Sequence, residues 1–198
     1  WTVGLVQFFC WAAFLYMWNY SNGAIAVNCW GVDTSAAGYA ATGEYQAAGN
    51  WVGIVFAVQA VGSILWAMVL PKFKNLKTAY IVSLLIGAVG LASVNFVHEQ
   101  YLLFVSYFLI GAAWAAMLAL PFTLLTNALE GSSHMGSYLG LFNGTICLPQ
   151  IIAALLGGTI LSLVGDSQPT MFIVAGVLLV CGAAAVGCIK VKTSENNR

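Results

Sequence analysis

The stretch MFIVAGVLLVCGAAAVGCI, residues 171–189, is apolar on every side of any regular structure that it forms. A strand of a membrane barrel needs about ten residues that alternate between apolar and polar character, and this stretch does not alternate. A helix of about 20 apolar residues crosses a hydrocarbon core about 30 Å thick, and it pairs its backbone amides within its own segment. The stretch therefore predicts a transmembrane helix.

The charged residues divide the rest of the chain into similar segments. A charge at the centre of a bilayer costs about 2.5–3.5 kcal/mol on insertion scales, so spans are expected where charges are absent. Six stretches carry none: 1–32, 45–71, 78–98, 100–129, 131–165 and 167–189. We therefore predict an all-α membrane protein with six transmembrane helices, at about 1–30, 47–70, 78–97, 101–128, 135–164 and 169–189, and a cytoplasmic tail at 190–198.

Composition supports a membrane protein and argues against other classes. Of 198 residues, 61% are hydrophobic and 6% are charged, whereas a soluble domain carries about 25% charged residues. The net charge of zero gives no sign of nucleic-acid binding. The five cysteines form no C-x-x-C pair, so we expect small buried side chains and neither a metal site nor a cofactor. Because the chain starts at Trp1, we expect a preceding part to be missing.

The Lys and Arg residues predict the orientation. All six lie either in the loop after the second span or in the tail, and four spans separate these two places. The positive-inside rule makes their common side cytoplasmic. We therefore expect a multi-pass protein of the inner or plasma membrane with both ends of the chain in the cytoplasm.

The first helix has an unusual polar run, WNYSNG at residues 18–23, with Gln7 before it and Asn28 after it. Polar side chains in a span must face protein or water. One interpretation is hydrogen bonding between helices, worth about 0.6 kcal/mol for each bond. The other is a hydrated cavity whose amides bind a polar solute. Gln59, in the middle of the second helix, leaves the same two alternatives open.

The fourth and fifth helices carry prolines, which bend a helix, and glycines, which let a neighbouring helix approach closely. Pro121 and Pro149 lie inside predicted spans, where a proline frees a carbonyl group and bends the helix, either as a hinge or as a static bend. Gly136 and Gly140 predict a face for a closely approaching helix. The third and sixth helices carry little polarity, and we expect them to be peripheral supports.

The layout of two helix triplets with cytoplasmic ends resembles one half of a major facilitator superfamily transporter, in which each six-helix half contains two inverted three-helix repeats. Three motifs carry a narrower resemblance: PFTLLT at 121–126, HMGSYLGLFN at 134–143 and LPQI at 148–151. They are similar to motifs in the C-terminal half of sucrose- and maltose-type proton symporters, near the glycoside–pentoside–hexuronide cation symporters.

This resemblance implies a secondary active transporter that carries a sugar, a glycoside or disaccharide, together with H+. It also implies a missing N-terminal six-helix half, which would hold the titratable residues, because this chain has no charged residue in the middle of a span. Side chains with amide or aromatic chemistry suited to a sugar make up the predicted substrate site: Gln7, Trp11, Asn19, Asn22, Gln59, Trp114 and Asn143.

Other functions remain possible at this point. A non-transporting sensor or assembly protein could use the same scaffold. A superfamily transporter of another solute is a further alternative, although an organic anion would favour an intramembrane Arg or Lys. An enzyme is not expected, because the spans hold no Ser/His/Asp set and the sequence has no phosphate-binding loop.

Overall fold

The computed structural model describes residues 2–129, 131 and 134–189. They form six long α-helices and no strand in these ranges, which confirms the all-α prediction. The helices are α1 (Thr2–Trp30), α2 (Gly43–Val69), α3 (Leu76–Val94), α4 (Leu103–Ala128), α5 (Met135–Leu163) and α6 (Thr170–Gly187). The predicted tail, 190–198, lies outside the described residues.

Local sequence signals set where the second and third helices begin. The Thr42 hydroxyl accepts a hydrogen bond from the backbone amide of Tyr45, and Glu44 lies in the first turn of α2. Helix α3 begins after Asn75, whose side-chain oxygen accepts from the amides of Lys77 and Thr78. Both caps satisfy amides that a helix leaves unpaired at its start. Helix α2 thus starts four residues earlier than the predicted 47.

Five of the six helices, α2 to α6, are both long and apolar enough to cross a membrane. Helix α1 has the length, since its 29 residues extend about 43 Å at 1.5 Å per residue. Its polar run makes it too polar to qualify by composition alone. However, α1 packs against α2, α4, α5 and α6, so its polar residues lie among helices that do qualify.

The helices pack as a bundle in which α3 and α6 contact each other, α4 covers α3, and α1 covers α6. Half of the apolar core segment of α3 and of α6 is buried, compared with 17% for α2 and for α5. Within this chain, α3 and α6 are therefore among the more buried helices, and their position as peripheral supports in a whole transporter stays a prediction. Their Gly and Ala residues let them approach their neighbours on more than one side.

Two glycines bring the backbones of α2 and α4 into close contact. A Cβ atom at Gly62 would collide with the carbonyl oxygen of Phe108, and one at Gly111 with the carbonyl oxygen of Gln59. No described atom lies within 4 Å of a Cβ built at Gly136 or Gly140. The close-packing face predicted there is thus not covered by any described helix of this chain.

The first and the last described residues of the chain lie at the same end of the bundle. At the start of α3, the Lys77 Nζ donates hydrogen bonds to the carbonyl oxygens of Gly187 (2.9 Å) and Ile189 (2.7 Å) at the end of α6. Residues Val3 and Ile189 also line a common cavity at this end. An even number of crossings follows. Which side of a membrane this end faces stays a prediction.

The opposite end is held together by hydrogen bonds and by one tight contact. The side-chain Nδ2 of Asn28, on α1, donates hydrogen bonds to the carbonyl oxygens of Val94 (2.9 Å) and Asn95 (3.3 Å). A Cβ at Gly23 would collide with the side chain of Gln168, from the connection between α5 and α6. In the α1–α2 loop, hydrogen bonds from the hydroxyl and amide of Ser35 lower the pKa of Asp33.

Substitution of Gly111 by Ala should force α2 and α4 apart. We expect the free energy of unfolding to fall by about 1–3 kcal/mol, the usual cost of overpacking. The measurement is the thermal unfolding midpoint of the purified protein in detergent. Gly53→Ala is the matched control, because a Cβ at Gly53 meets no atom within 4 Å. Equal midpoints for the two variants would contradict the close contact.

Substitution of Lys77 by Met should weaken the contact between α3 and α6 by removing a charged donor from the carboxyl end of α6. Because Lys77 is only partly buried, we expect a loss of about 1 kcal/mol, below the range of about 1.5–3 kcal/mol for hydrogen bonds to charged groups. Chemical denaturation in mixed micelles measures it. Lys74→Met is the control, since Lys74 is exposed, and a loss as large as that of Lys77→Met would refute the assignment.

Candidate functional site

One face of α1 carries four of the side chains on which a solute site would depend. Gln7, Trp11, Trp18 and Asn22 follow one another at intervals of four, seven and four residues. This spacing places them on one side of a helix with 3.6 residues per turn. Asn19, the adjacent residue of the predicted site, is exposed on the same helix.

An aromatic cluster joins this face of α1 to α4. We use this name for Trp11, Phe14, Trp18 and Trp114. The Trp114 ring centroid lies 5.9 Å from that of Trp11, 5.6 Å from that of Trp18 and 5.0 Å from that of Phe14. The two contacts with Trp11 and Trp18 are edge-to-face, which the quadrupoles of the rings favour. All three tryptophans are only partly buried, so the cluster keeps exposed ring surface.

Polar atoms without a partner accompany the aromatic cluster. Three of the four buried side-chain nitrogen or oxygen atoms that lack a hydrogen bond, among the described residues, belong to α1: Gln7 Oε1, Trp11 Nε1 and Asn22 Oδ1. Leaving such an atom unpaired costs about 1–3 kcal/mol. They are two acceptors and one donor on one helix face, and each is shielded from solvent in this structure.

Other polar residues of the spans are already paired with protein. The Ser21 hydroxyl lies 3.0 Å from the Tyr107 hydroxyl, and the Trp66 Nε1 donates to the Ser83 hydroxyl at 2.8 Å. The Trp51 Nε1 donates to the carbonyl oxygen of Gln100 at 3.1 Å. For these residues and for Asn28, the interpretation as bonds between helices holds. The polar run of α1 therefore divides into paired residues and unpaired ones.

The remaining residues of the predicted site lie apart from the aromatic cluster. Gln59 is buried on the side of α2 that packs on α4, with its carbonyl oxygen against Gly111. Asn143 is exposed on α5. The structure thus brings Trp11 and Trp114 into contact and places Gln7 and Asn22 along the same face. No described contact joins Gln59 or Asn143 to that cluster.

Sequence reasoning did not select Phe14 and Trp18 for the site, although both contact Trp114. The interval from Trp11 to Trp18, two helical turns, was the available signal.

Pro121 and Pro149 are buried inside α4 and α5. Pro149, on α5, lies on the same side of the helix as Ala153 and Gly157, and all three residues are buried. Their role as hinges stays a prediction.

No group of three His, Cys, Asp or Glu residues in the described ranges is arranged to hold a metal ion. The side chains described at the α1–α4 face are amides, indoles and a phenyl ring. Such groups bind by hydrogen bonding and by stacking, and they place no net charge on the site.

Comparison with known proteins identifies the class of this bundle. The sequence model of the Major Facilitator Superfamily matches residues 4–198. The chain belongs to this superfamily, whose members are secondary transporters that bind small-molecule substrates. It is a multi-pass membrane protein of transport function. No curated protein sequence and no solved structure matches the chain.

Substitution of Gln7 by Met should raise the stability of the protein, or leave it unchanged, because it removes the unpaired Oε1 atom and keeps the length of the side chain. Ser21→Ala should lower the free energy of unfolding by about 0.6 kcal/mol, the average for such bonds between membrane helices, since it leaves the Tyr107 hydroxyl without this partner. Unfolding midpoints without added solute measure both. A marked loss for Gln7→Met would show that Gln7 is paired within the protein.

Proposed function

We propose that this chain is the C-terminal half of a sugar transporter, a proton symporter for a glycoside or disaccharide. The observation that carries the proposal is the unpaired polar atoms of Gln7, Trp11 and Asn22 beside the aromatic cluster. A sugar offers hydroxyl groups that pair with amides and indoles, and C–H faces that stack on aromatic rings. The motifs at 121–126, 134–143 and 148–151 support the same substrate class by resemblance.

The predicted coupling to H+ needs a titratable group within the membrane. In the described part of the chain, every Asp, Glu, Lys and Arg lies in a connection or in the first turn of a helix. The proposal therefore assigns the coupling carboxylate to an N-terminal half of six more helices. The large exposed surfaces of α2 and α5, with Asn143, Gly136 and Gly140 on α5, support such a partner.

The proposed orientation follows from charge. The end of the bundle that holds Lys72, Lys74 and Lys77 would face the cytoplasm of a cell, across its inner or plasma membrane. The connections at the other end hold Asp33, Glu99 and Asp166. Substituted-cysteine labelling at Lys74 and at Ala37 from outside intact cells distinguishes the two orientations.

Counterflow of a labelled disaccharide in liposomes tests the proposed substrate with the full-length protein. We expect saturable exchange, and Trp11→Phe should raise the half-saturation concentration about tenfold, because it removes one hydrogen-bond donor worth about 1–1.5 kcal/mol. Trp66→Phe is the control, since its Nε1 is bonded to Ser83 instead.

Two outcomes would contradict the proposal. If no sugar shows saturable exchange, the substrate belongs to another class and the chain is a transporter of a different solute. If Asn19, Asn22 and Asn143 can all be changed to Leu without loss of the cellular function, a non-transporting sensor or assembly protein fits better. Net uptake of the sugar that does not respond to an imposed proton gradient would rule out H+ as the coupling ion and leave the proposed substrate standing.

A further inference from the structure

A large cavity lies at the lysine-bearing end of the bundle, away from the aromatic cluster. It has a volume of about 670 Å³ and lies where α1, α3 and α5 begin and where α4 and α6 end. Helix α5 packs mainly on α1 and so leaves a gap beside α4. The walls are mainly apolar, and they include Leu76, Leu124, Leu129, Leu141, Phe142 and Ile189.

The positive charge of the chain is concentrated around this cavity. Leu76 and Ile189 both line it, and they adjoin the only two groups of Lys and Arg in the sequence, residues 72–77 and 190–198. The Lys77 Nζ lies 2.7 Å from the carbonyl oxygen of Ile189, directly at the wall. Among the described residues, Asp33, Glu44, Glu99 and Asp166 lie at the other end of the bundle. In the sequence, Glu130 follows the wall residue Leu129 and offsets one of the three lysine charges. The described residues at this end of the bundle therefore carry a positive charge.

Two of these lysines are available to a ligand. Lys72 and Lys74 are exposed, and neither pairs with an acidic group of a described residue. Since consecutive Cα atoms are at most about 3.8 Å apart, the Cα of Lys74 lies within about 8 Å of that of Leu76 and the Cα of Lys72 within about 15 Å. These upper limits place the backbone of both lysines at the end of the bundle where the cavity lies. Lys77, by contrast, is engaged with the carbonyl groups of α6.

We propose that this cavity binds one anionic phospholipid of the surrounding leaflet. An acyl chain would occupy the apolar interior, and the phosphate would lie against Lys72 and Lys74. A basic mouth on an apolar cleft between helices, at the level of the lipid headgroups, matches both parts of such a molecule. The walls also carry the polar side chains Thr2, Asn127, Tyr138 and Thr145. The cavity shares no lining residue with the aromatic cluster, so the site differs from the one on the α1–α4 face.

Photocrosslinking tests the proposal with the full-length protein in nanodiscs of phosphatidylcholine. The probes are phosphatidylglycerol and phosphatidylcholine that carry the same diazirine-labelled acyl chain, and mass spectrometry locates the labelled residues. We expect labelling of the cavity walls by phosphatidylglycerol to exceed that by phosphatidylcholine at least fivefold, since each lysine near an anionic lipid surface contributes about fivefold in affinity.

Paired variants separate the charge from the cavity. Joint substitution Lys72→Gln and Lys74→Gln should abolish the preference for phosphatidylglycerol, whereas Lys72→Arg with Lys74→Arg should keep it. Leu141→Trp should fill the cavity and remove the wall labelling. Leu148→Trp is its control, because Leu148 is similarly exposed on α5 and does not line the cavity.

Three results would overturn the proposal. Equal labelling by the two lipids would show an ordinary boundary lipid. Labelling that the Gln variants leave unchanged would show that the lysines do not select the headgroup. If a bifunctional reagent instead links the cavity walls to residues 190–198 and lipid labelling is absent, the occupant is the tail of the chain.

Discussion

The hydrocarbon core of a bilayer offers no partner to a backbone amide, and this constraint governs the whole molecule. It requires continuous helices, and the described chain consists of six of them joined by short connections and one longer loop. It also makes each unpaired polar side chain expensive. Several polar residues of the spans are accordingly bonded to another helix, as Ser21 is to Tyr107 and Trp66 to Ser83. Others, such as Thr126 and Gln150, bond to carbonyl oxygens of their own helix. The proposed site rests on the buried atoms of α1 that have neither kind of partner.

Once amides are satisfied within helices, packing decides how the helices associate. Apolar side chains gain little by leaving lipid for protein, so close contact of backbones becomes important. Gly62 and Gly111 provide it between α2 and α4, and Gly87 and Gly90 provide it between α3 and α4. At helix α5 the glycine contacts of the described residues are with side chains only, at Gly157 beside Tyr20 of α1 and at Gly4 of α1 beside Thr145. The bundle is consequently tight around α3, α4 and α6 and loose around α5.

The sequence was sufficient to predict the fold, because charged residues mark the connections and the long apolar runs between them form the transmembrane helices. It was insufficient for the site, since periodicity does not reveal which neighbour a side chain meets. Gln7 and Gln59 are both buried amides, yet Gln7 keeps an unpaired oxygen and Gln59 lies between α2 and α4. The spacing of Gly136 and Gly140 indicates a packing face, but no described residue covers it. Contacts such as Trp18 with Trp114 depend on the angle between helices, which no local pattern encodes.

The polarity of α1 has a consequence for how the protein is made. Helix α1 is the first of the six to leave the ribosome and the one whose composition least favours lipid. Its most extensive partner, α6, is the last of the described helices to be synthesised. A translocon that sorts segments by hydrophobicity would insert α2 to α6 readily into the bilayer, and it would insert α1 less readily. We therefore expect the final placement of α1 to depend on its packing against α6, which emerges later.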